Sequence, residues 1–308
     1  MRVVYMGTPD FAVGPLEAII KAGHEVVMVV TQPDRQKGRG KEIQFSPVKE
    51  AAVRHNIPVY QPEKIRREEA VAKLEECGAD IFVVAAFGQI LTSEILGMPR
   101  YGCVNIHASL LPKYRGAAPI QWAVIDGEEK SGVTIMQMDE GIDTGDILLQ
   151  KELVLDKKET GASLFERLAE LGCLAIVEAM ELIENGSITR TPQDHDASTY
   201  AKMLTKELGR INWGDSAVVI ERLIRGLNSW PSAYTSLNGK NLKIWDAEVV
   251  DIKGEAGVIS EVTKDSFTVG CKEGSLAVTE LQLEGKKRMN VHDFLLGYKL
   301  ECGTVLGR

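Results

Sequence analysis

Residues 79–107, ADIFVVAAFGQILTSEILGMPRYGCVNIH, contain two candidate strands joined by a segment with turn-forming glycines and a proline. The first, 79–87, is apolar apart from Asp80 near its start, which is typical of a strand buried on both faces of a parallel sheet. The second is Cys103–His107. Strand and helix patterns also alternate from residue 2 up to this stretch. This alternation predicts a doubly wound α/β domain, in which ligands bind beyond the carboxyl ends of the strands.

Two polar side chains interrupt the second candidate strand. Asn105 and His107 are two residues apart, so both project from one face of the strand. A neutral amide that donates a hydrogen bond, beside an imidazole that exchanges a proton near neutrality, suits a reaction that passes through an oxyanion. Acyl transfer is the simplest such reaction. An isolated Asn-x-His pair is also compatible with a turn-forming asparagine and a hydrogen-bonded strand histidine.

Length and composition indicate the class of protein. The chain has 308 residues, which predicts two domains, since single domains usually contain about 100 to 200 residues. Its 44% hydrophobic and 26% charged residues are ordinary for a globular protein. A net charge of −8 argues against a general polyanion binder, because nonspecific affinity for nucleic acid comes from neutralising phosphates. Binding of RNA would therefore require a local basic patch.

The absence of several sequence signals argues against metal-binding, nucleotide-binding, secreted and membrane-spanning proteins. The five cysteines are scattered, with no Cys-x-x-Cys pair and no zinc-ligand spacing, so we expect reduced structural thiols and no metal. Neither a Gly-x-Gly-x-x-Gly fingerprint nor a Walker sequence is present, so binding of NAD or ATP is not supported. We find no secretion signal and no apolar run of the roughly 20 residues that a membrane span needs. These features predict a cytoplasmic protein.

Three motifs resemble those of the folate-dependent formyltransferases. The run NIHASLLP at 105–112, followed by RGAAP at 115–119, resembles the signature of that family. The run GIDTGD at 141–146 resembles the family's aspartate-bearing loop. The run GTPDF at 7–11 resembles the opening of the branch that formylates methionyl-tRNA. The resemblance implies a Rossmann-like formyltransferase domain that contains all three motifs.

The resemblance also implies the residues of the active site. Asn105, His107 and Asp143 would be catalytic, although an aspartate in a glycine-rich loop such as that of Asp143 is, on spacing alone, most often a turn former. The formyl donor would be 10-formyltetrahydrofolate. Two segments would bind it, one after the apolar strand and one after His107: Phe87, Gly88, Gln89, Ile90, Leu91, Ser109, Leu110, Leu111 and Pro112.

Two basic segments are candidate RNA contacts. A long polar insertion, residues 32–49, follows the second strand, and four of its basic residues are the candidates: Arg35, Lys37, Arg39 and Lys41. In the branch that formylates methionyl-tRNA, this insertion enters the acceptor stem, so the resemblance implies that these residues contact tRNA. The C-terminal part would contribute a second basic run: Lys286, Lys287 and Arg288. Either run by itself is more typical of a solvated loop.

Composition shifts suggest the domain boundaries. Residues 1–188 form the predicted catalytic domain, 189–206 a polar linker, and 207–308 a C-terminal domain. Short strands separated by glycine turns predict an OB-like β-barrel in the C-terminal domain, and the resemblance makes it a tRNA-binding domain. Its tryptophans could stack on nucleotides, but anchoring of a small barrel is the simpler interpretation.

Taken together, the resemblance implies transfer of a formyl group from 10-formyltetrahydrofolate to methionine on initiator tRNA by a monomeric enzyme. A sugar-nucleotide N-formyltransferase is the nearest alternative, and the basic insertion favours a tRNA acceptor over a small sugar. A glycinamide ribonucleotide formyltransferase needs no long C-terminal domain, and a formyltetrahydrofolate hydrolase would use water as acceptor. A non-catalytic RNA-binding protein on the same scaffold is the alternative from another class.

Overall fold

The computed structural model describes residues 1–37 and 42–307. In this part of the chain the α-helices, α1 to α8 in order, are Val13–Lys21, Pro47–Arg54, Glu68–Glu75, Ser93–Leu96, Pro119–Asp126, Gly161–Glu184, Ala217–Gly226 and Val291–Gly297. The strands, β1 to β17 in order, are Arg2–Gly7, Glu25–Val30, Arg35–Lys37, Glu42–Gln44, Val59–Tyr60, Ile81–Ala85, Cys103–His107, Arg115–Gly116, Lys130–Gln137, Ile147–Val154, Tyr200–Ala201, Ala233–Leu237, Lys240–Val250, Ile259–Val262, Phe267–Gly270, Ser275–Leu283 and Met289–Asn290.

The described residues divide into two compact units. The first unit comprises those within Met1–Pro119, Lys130–Val154 and Phe165–Ala201, and the second comprises the rest. Each unit therefore draws on separate stretches of sequence. The linear division at residues 189–206 stays a prediction.

A seven-stranded sheet forms the centre of the first unit, in the order β10-β9-β7-β6-β1-β2-β5. The five strands from β7 to β5 run parallel, and β9 and β10 extend the sheet in antiparallel fashion. All five residues of β6 are buried, as expected for an apolar strand with helices on both faces. The prediction of a doubly wound α/β domain is confirmed.

Alternate residues of the central strands face the two helical layers. Val4 and Met6 of β1 lie in one apolar cluster with Leu74 of α3 and Ile95 of α4. Tyr5 points to the opposite face, where its hydroxyl donates to the carbonyl oxygen of Ala12 at 2.6 Å, just before α1. The sheet is thus covered on both faces, so a ligand would bind beyond the carboxyl ends of its strands.

The order in which successive strands are added to the sheet changes direction between β1 and β6. Strands β2 and β5 lie on one side of β1, whereas β6 and β7 lie on the other. The loops that follow β1 and β6 meet at this point, where Thr8 Oγ1 donates to the carbonyl oxygen of Phe87 at 3.2 Å. Because ligands of open α/β sheets bind at such switch points, the fold itself indicates a binding site at this edge.

The insertion at residues 32–49 contains a short hairpin that the sequence pattern did not predict. The backbone of β3 pairs with that of β4 in antiparallel fashion. Helix α2 begins immediately afterwards, where Ser46 Oγ accepts a hydrogen bond from the backbone N–H of Lys49 at 3.1 Å and Pro47 occupies the first helical turn. The described part of the insertion therefore includes the paired strands β3 and β4 and the start of α2.

An antiparallel sheet forms the centre of the second unit, in the order β12-β13-β16-β15-β14, and β17 also pairs with β16. Side chains such as Leu242, Phe267 and Leu281 share one apolar core with Ile220 and Ile224 of α7. This arrangement confirms a C-terminal β-sheet domain. Helix α8 and strand β12 were not predicted from the sequence.

The C-terminal segment bonds to both edge strands of this sheet. The backbone N–H of Ile259 in β14 donates to the carbonyl oxygen of Thr304 at 2.9 Å. Gly307 in turn donates to the carbonyl oxygen of Ser236 in β12 at 2.9 Å. Residues 304–307 thus satisfy backbone groups that edge strands otherwise leave unpaired.

Helix α6 is the longest described helix, with 24 residues. Throughout the described ranges, no helix combines the length and the apolar character needed to cross a membrane.

Candidate active site

Asn105 and His107 lie at the carboxyl end of β7, on one face of the strand. Strand β7 is held on one side by β6, with Val84 opposite Asn105, and on the other by β9, with Thr134 opposite His107. Asn105 is the one residue of this strand that is not buried. Among the described residues, its side-chain amide has no hydrogen-bond partner in the protein. A donor held on a rigid strand and left free is suited to stabilise a developing oxyanion.

The imidazole of His107 is buried, and each of its nitrogens faces a different group. Nε2 lies 2.9 Å from the carbonyl oxygen of Tyr114. A carbonyl oxygen only accepts, so Nε2 must carry a proton and donate it. The other nitrogen, Nδ1, lies 3.6 Å from Asp143 Oδ2. Nδ1 is therefore the ring atom at which a proton can be gained or lost.

Asp143 reaches His107 from a sharply bent loop between β9 and β10. Its φ of +54° is in the left-handed region that few residues other than glycine adopt. Gly145 permits the bend, because a Cβ atom there would overlap the carbonyl oxygen of Gln137. The Oδ2 atom of Asp143 also accepts a hydrogen bond from the backbone N–H of Gly116 at 2.8 Å. The loop thus brings the carboxylate to the imidazole.

Gln193 and Arg115 lie behind this loop. Nε2 of Gln193 donates to the carbonyl oxygens of Asp143 and Gly145 at 2.9 and 2.7 Å. Its Oε1 accepts from Nε and Nη2 of Arg115 at 3.1 and 2.7 Å. Neither residue was predicted as a site residue. Gln193 belongs to the segment interpreted as a linker, and a single glutamine in a polar segment carries no sequence signal.

An open cleft of about 810 Å³ lies at the switch point of the first unit. Its lining residues follow β1, β2 and β6 or belong to the insertion, and they include Thr8, Asp10, Gln32, Phe45, Phe87 and Gly88. Gln32 Nε2 donates to the carbonyl oxygen of Phe87 at 3.0 Å. Two of the residues predicted to bind folate, Phe87 and Gly88, therefore line this cleft.

The next three residues of the predicted folate segment have different environments. The side chain of Gln89 is committed to the protein, because Oε1 accepts from the backbone N–H of Ile65 at 2.7 Å and Nε2 donates to the carbonyl oxygen of Pro62 at 3.1 Å. Leu91 is buried, whereas Ile90 is 76% exposed. An apolar side chain so exposed is available to a ligand.

The segment after His107 is tightly braced. Ser109 Oγ donates to the carbonyl oxygen of Lys113 at 2.7 Å, and the backbone N–H of Leu111 donates to Thr134 Oγ1 at 3.1 Å. Ser109 and Leu111 are buried, while Leu110 and Pro112 are partly exposed. Any contact of this segment with folate would therefore involve its backbone or the two partly exposed side chains.

The residues predicted to bind tRNA through the insertion are only partly described. Arg39 and Lys41 lie outside the described residues. Arg35 and Lys37 are placed by their backbones, at the two ends of β3. Their predicted contact with RNA stays a prediction.

The second basic run lies between β16 and β17. Lys286 and Lys287 are exposed. Arg288 is paired with Glu280 through Nε and Nη2, at 2.6 and 2.5 Å, and its guanidinium lies 4.6 Å from the ring centre of Trp245. The charge of Arg288 is thus offset by Glu280, which leaves the two lysines as the more available cations of this run.

All five cysteines are free thiols. Burial raises the pKa of Cys103 to about 12 and that of Cys271 to about 11, so both are protonated near neutrality and are poor nucleophiles. Within the described ranges, no group of three histidine, cysteine, aspartate or glutamate side chains is arranged to hold a metal ion.

Comparison with known proteins agrees with this geometry. Residues 1–180 match the family described as "Formyl transferase", and residues 203–299 match "Formyl transferase, C-terminal domain". The chain is 57% identical to the methionyl-tRNA formyltransferase of Lachnospira eligens over 314 aligned residues, with all of both chains covered. It belongs to the methionyl-tRNA formyltransferase family. The family's relative from Agathobacter rectalis is 56% identical, with 99% of both chains covered. The family predicted from the three motifs is confirmed.

Solved structures share the fold at low sequence identity. WlaRD, described as a sugar 3N-formyl transferase, superposes with a TM-score of 0.67 at 22% identity, over 93% of this chain and 99% of the other. HypX from Aquifex aeolicus, solved with tetrahydrofolic acid, superposes with a TM-score of 0.63 at 18% identity. That alignment covers 99% of this chain, which spans half of HypX. At these identities the likeness concerns the fold alone.

Proposed function

We propose that this chain transfers the formyl group of 10-formyltetrahydrofolate to the α-amino group of methionine on initiator tRNA, giving N-formylmethionyl-tRNA for translation initiation. One observation carries the proposal: Asn105, His107 and Asp143 converge at the carboxyl end of a central strand. They do so in a chain that is 57% identical, over its full length, to a methionyl-tRNA formyltransferase.

The reaction forms a bond from the amine nitrogen to the formyl carbon and breaks the bond from that carbon to N10 of the folate. As the amine attacks, negative charge develops on the formyl oxygen. The free amide of Asn105 donates a hydrogen bond to this oxygen. Because β7 already holds the amide in place, no reorganisation is needed as the charge develops.

His107 supplies the second donor. Its Nε2 is occupied by the carbonyl oxygen of Tyr114, so the donor is a proton on Nδ1. The 3.6 Å from Nδ1 to Asp143 Oδ2 exceeds the length of a normal hydrogen bond. A proton on Nδ1 is therefore not already committed to the carboxylate and can be shared with the oxyanion.

Asp143 moves a proton between the two nitrogens of the reaction. The attacking amine must lose a proton, and N10 must gain one as it leaves. The Asp143 carboxylate accepts the first proton and supplies the second. No covalent bond to the protein is required.

The donor and the acceptor approach the same edge of the sheet. We assign the folate to Phe87, Gly88, Ile90 and the segment after His107, since these follow β6 and β7 directly. Gln89 and Leu91 support that surface from within, as the committed side chain of Gln89 and the burial of Leu91 suggest. The basic residues of the insertion and of residues 286–288 are assigned to the tRNA, and the enzyme is expected to act as a cytoplasmic monomer.

The direct test is transfer of labelled formyl from 10-formyltetrahydrofolate to three acceptors. These are Met-charged initiator tRNA, Met-charged elongator tRNA and a 4-amino-sugar nucleotide. We expect formylation of the initiator to exceed that of the other two. Formylation of the sugar in place of the tRNA would contradict the proposal, as would release of formate without an acceptor.

A further inference from the structure

Gln193 links the Asp143 loop to a buried cation. Gln193 is 6% exposed and Arg115 is 2% exposed. Because a guanidinium group only donates hydrogen bonds, Oε1 of Gln193 must face Arg115. Nε2 must then face the carbonyl oxygens of Asp143 and Gly145. The chemistry of its partners thus fixes the orientation of the Gln193 amide, which the geometry of a glutamine side chain alone does not.

Arg115 is held chiefly by this amide. Besides the two hydrogen bonds to Gln193 Oε1, its side chain has one further partner, His195 Nδ1 at 3.3 Å from Nη2. In the described part of the chain, no carboxylate forms an ion pair with Arg115. A buried charge without a counterion depends strongly on its hydrogen bonds, so the contact between Arg115 and Gln193 should be costly to break.

The backbone beside Arg115 holds the other end of Asp143. Gly116, the next residue, donates its N–H to Asp143 Oδ2 at 2.8 Å. Both residues form β8, which is fixed by its parallel pairing with β11 and by the hydrogen bond from the Arg115 N–H to the carbonyl oxygen of Thr199 at 2.8 Å. Asp143 is thus held at its carboxylate by β8 and at its backbone carbonyl by Gln193. A residue at φ +54° requires surroundings that hold it there.

We propose that Gln193 is a positioning residue that aims Asp143 at His107, and that Arg115 holds the Gln193 amide in the required orientation. The inference rests on the catalytic role proposed for Asp143. Gln193 itself touches neither His107 nor the reacting atoms; it acts through the backbone of the Asp143 loop.

Gln193→Glu keeps the hydrogen bonds from Arg115 to residue 193 and removes those from residue 193 to the Asp143 loop. A carboxylate still accepts hydrogen bonds from Arg115, but it cannot donate to the carbonyl oxygens of Asp143 and Gly145. We expect kcat for formyl transfer to fall by about 10²-fold, the typical cost of misplacing a catalytic group by about 1 Å. The KM values for folate and for Met-tRNA should stay unchanged. A wild-type kcat, or a loss confined to KM, would overturn the proposal.

A double-mutant cycle with Asp143→Asn tests whether Gln193 acts through Asp143. Residues that act as one unit are not additive, so Gln193→Glu should change kcat by less than about twofold in the Asp143→Asn background. Gln137→Ala is the matched control, because Gln137 also donates from Nε2 to a backbone carbonyl oxygen, that of Cys103 at 2.9 Å. Any loss of kcat caused by Gln137→Ala should be the same in the wild-type and the Asp143→Asn backgrounds. Additive losses for Gln193→Glu would overturn the inference.

A measurement without substrate distinguishes failure of this inference from failure of the proposed function. The ¹⁵N signals of the His107 ring, recorded by NMR, report on the group that faces Nδ1. We expect Gln193→Glu to shift the Nδ1 signal in the same direction as Asp143→Asn does. In Gln137→Ala the Nδ1 signal should match that of the wild type. If Asp143→Asn shifts the signal and Gln193→Glu does not, the positioning role is overturned, whatever the acceptor of the reaction proves to be.

Discussion

The polar atoms of Asn105 and His107 are committed to different extents before any substrate binds. His107 has one nitrogen bonded to the backbone at Tyr114 and the other facing Asp143. Asn105 has no partner among the described residues, although it lies on a strand that is otherwise buried. Because Asn105 is only partly buried, its amide is accessible to a ligand, which suits the role in the reaction proposed for it.

Asp143→Asn keeps the shape of the side chain and removes its charge. We expect kcat to fall by about 10²- to 10⁴-fold, the usual contribution of a general acid or base. Folding should be normal, because an asparagine oxygen can still accept from the Gly116 N–H. Steady-state kinetics with Met-tRNA would check this, and a kcat within twofold of wild type would exclude Asp143 from proton transfer.

Gly145→Ala tests the bend of the loop. A Cβ atom at this position would overlap the backbone oxygen of Gln137, so the loop must move and carry Asp143 away from His107. We expect a loss of kcat of about 10²-fold. Gly297→Ala is the matched control, since an added Cβ there would meet no atom within 4 Å. Equal kinetics for the two variants would contradict the steric explanation.

At the scale of elements, the two ends of the insertion are joined by a polar cluster. Asp34 precedes β3 and Lys49 lies in α2, and their charged atoms are 2.5 Å apart. Gln61 bonds to both, donating to Asp34 Oδ1 and accepting from Lys49 Nζ, each at 2.8 Å. Lys49 Nζ also lies 3.8 Å from the ring centre of Phe45. This cluster fixes the base of the segment that is proposed to contact tRNA.

Lys49→Met should weaken the base of the insertion. Hydrogen bonds between charged groups typically contribute about 1.5–3 kcal/mol, so we expect the free energy of unfolding to fall by about that amount. KM for Met-tRNA should rise, with kcat and KM for folate unchanged. Lys73→Met removes an exposed pair with Glu76 and should lower the free energy of unfolding by clearly less than Lys49→Met does. Urea unfolding of both variants checks the difference, and equal losses would contradict it.

The contribution of this cluster to the free energy of unfolding depends on pH in a defined direction. Burial by itself would raise the pKa of Asp34, but hydrogen bonds from Lys49 and Gln61, together with the charge of Lys49, lower it below the ordinary aspartate value. A lowered pKa in the folded protein means that the stabilisation is complete above the unfolded value and is lost as pH falls through the folded one. The stability difference between wild type and Asp34→Asn should therefore be constant above about pH 5 and should shrink in acid. A difference that grows in acid would contradict this.

Sequence patterns predicted some elements well and missed others for physical reasons. Strand β7 was predicted at its observed bounds, because its β-branched residues lie between turn-forming residues and give a strong local signal. The pairing of β8 with β11 was missed, since each has only two residues and their partners are about 85 positions apart. The Gln193 contacts were missed for the same reason. Long-range hydrogen bonds leave no local periodicity.

At the scale of the whole molecule, the five free cysteines differ widely in burial. Cys103 and Cys271 are buried, whereas Cys302 is exposed. Burial also raises the pKa of Cys77 and Cys173, which are half-buried. A raised pKa leaves the thiol protonated near pH 8, and the protonated form does not react.

A thiol reagent should therefore label Cys302 first in the native protein, and all five cysteines after denaturation. Mass spectrometry of the labelled peptides would identify the order. Cys302→Ser is the control and should abolish the fast phase. Fast labelling of Cys103 or Cys271 would contradict the described packing of the unit that contains it.

The central claim is that a free amide on β7 stabilises the oxyanion of formyl transfer to Met-tRNA, and Asn105→Ala tests it most directly. The measurement is the single-turnover rate of formyl transfer with enzyme in excess over Met-charged initiator tRNA and with saturating 10-formyltetrahydrofolate. Loss of one oxyanion donor predicts a rate about 10²- to 10³-fold below wild type, with normal folding and unchanged binding of tRNA. A wild-type rate in Asn105→Ala would contradict the claim.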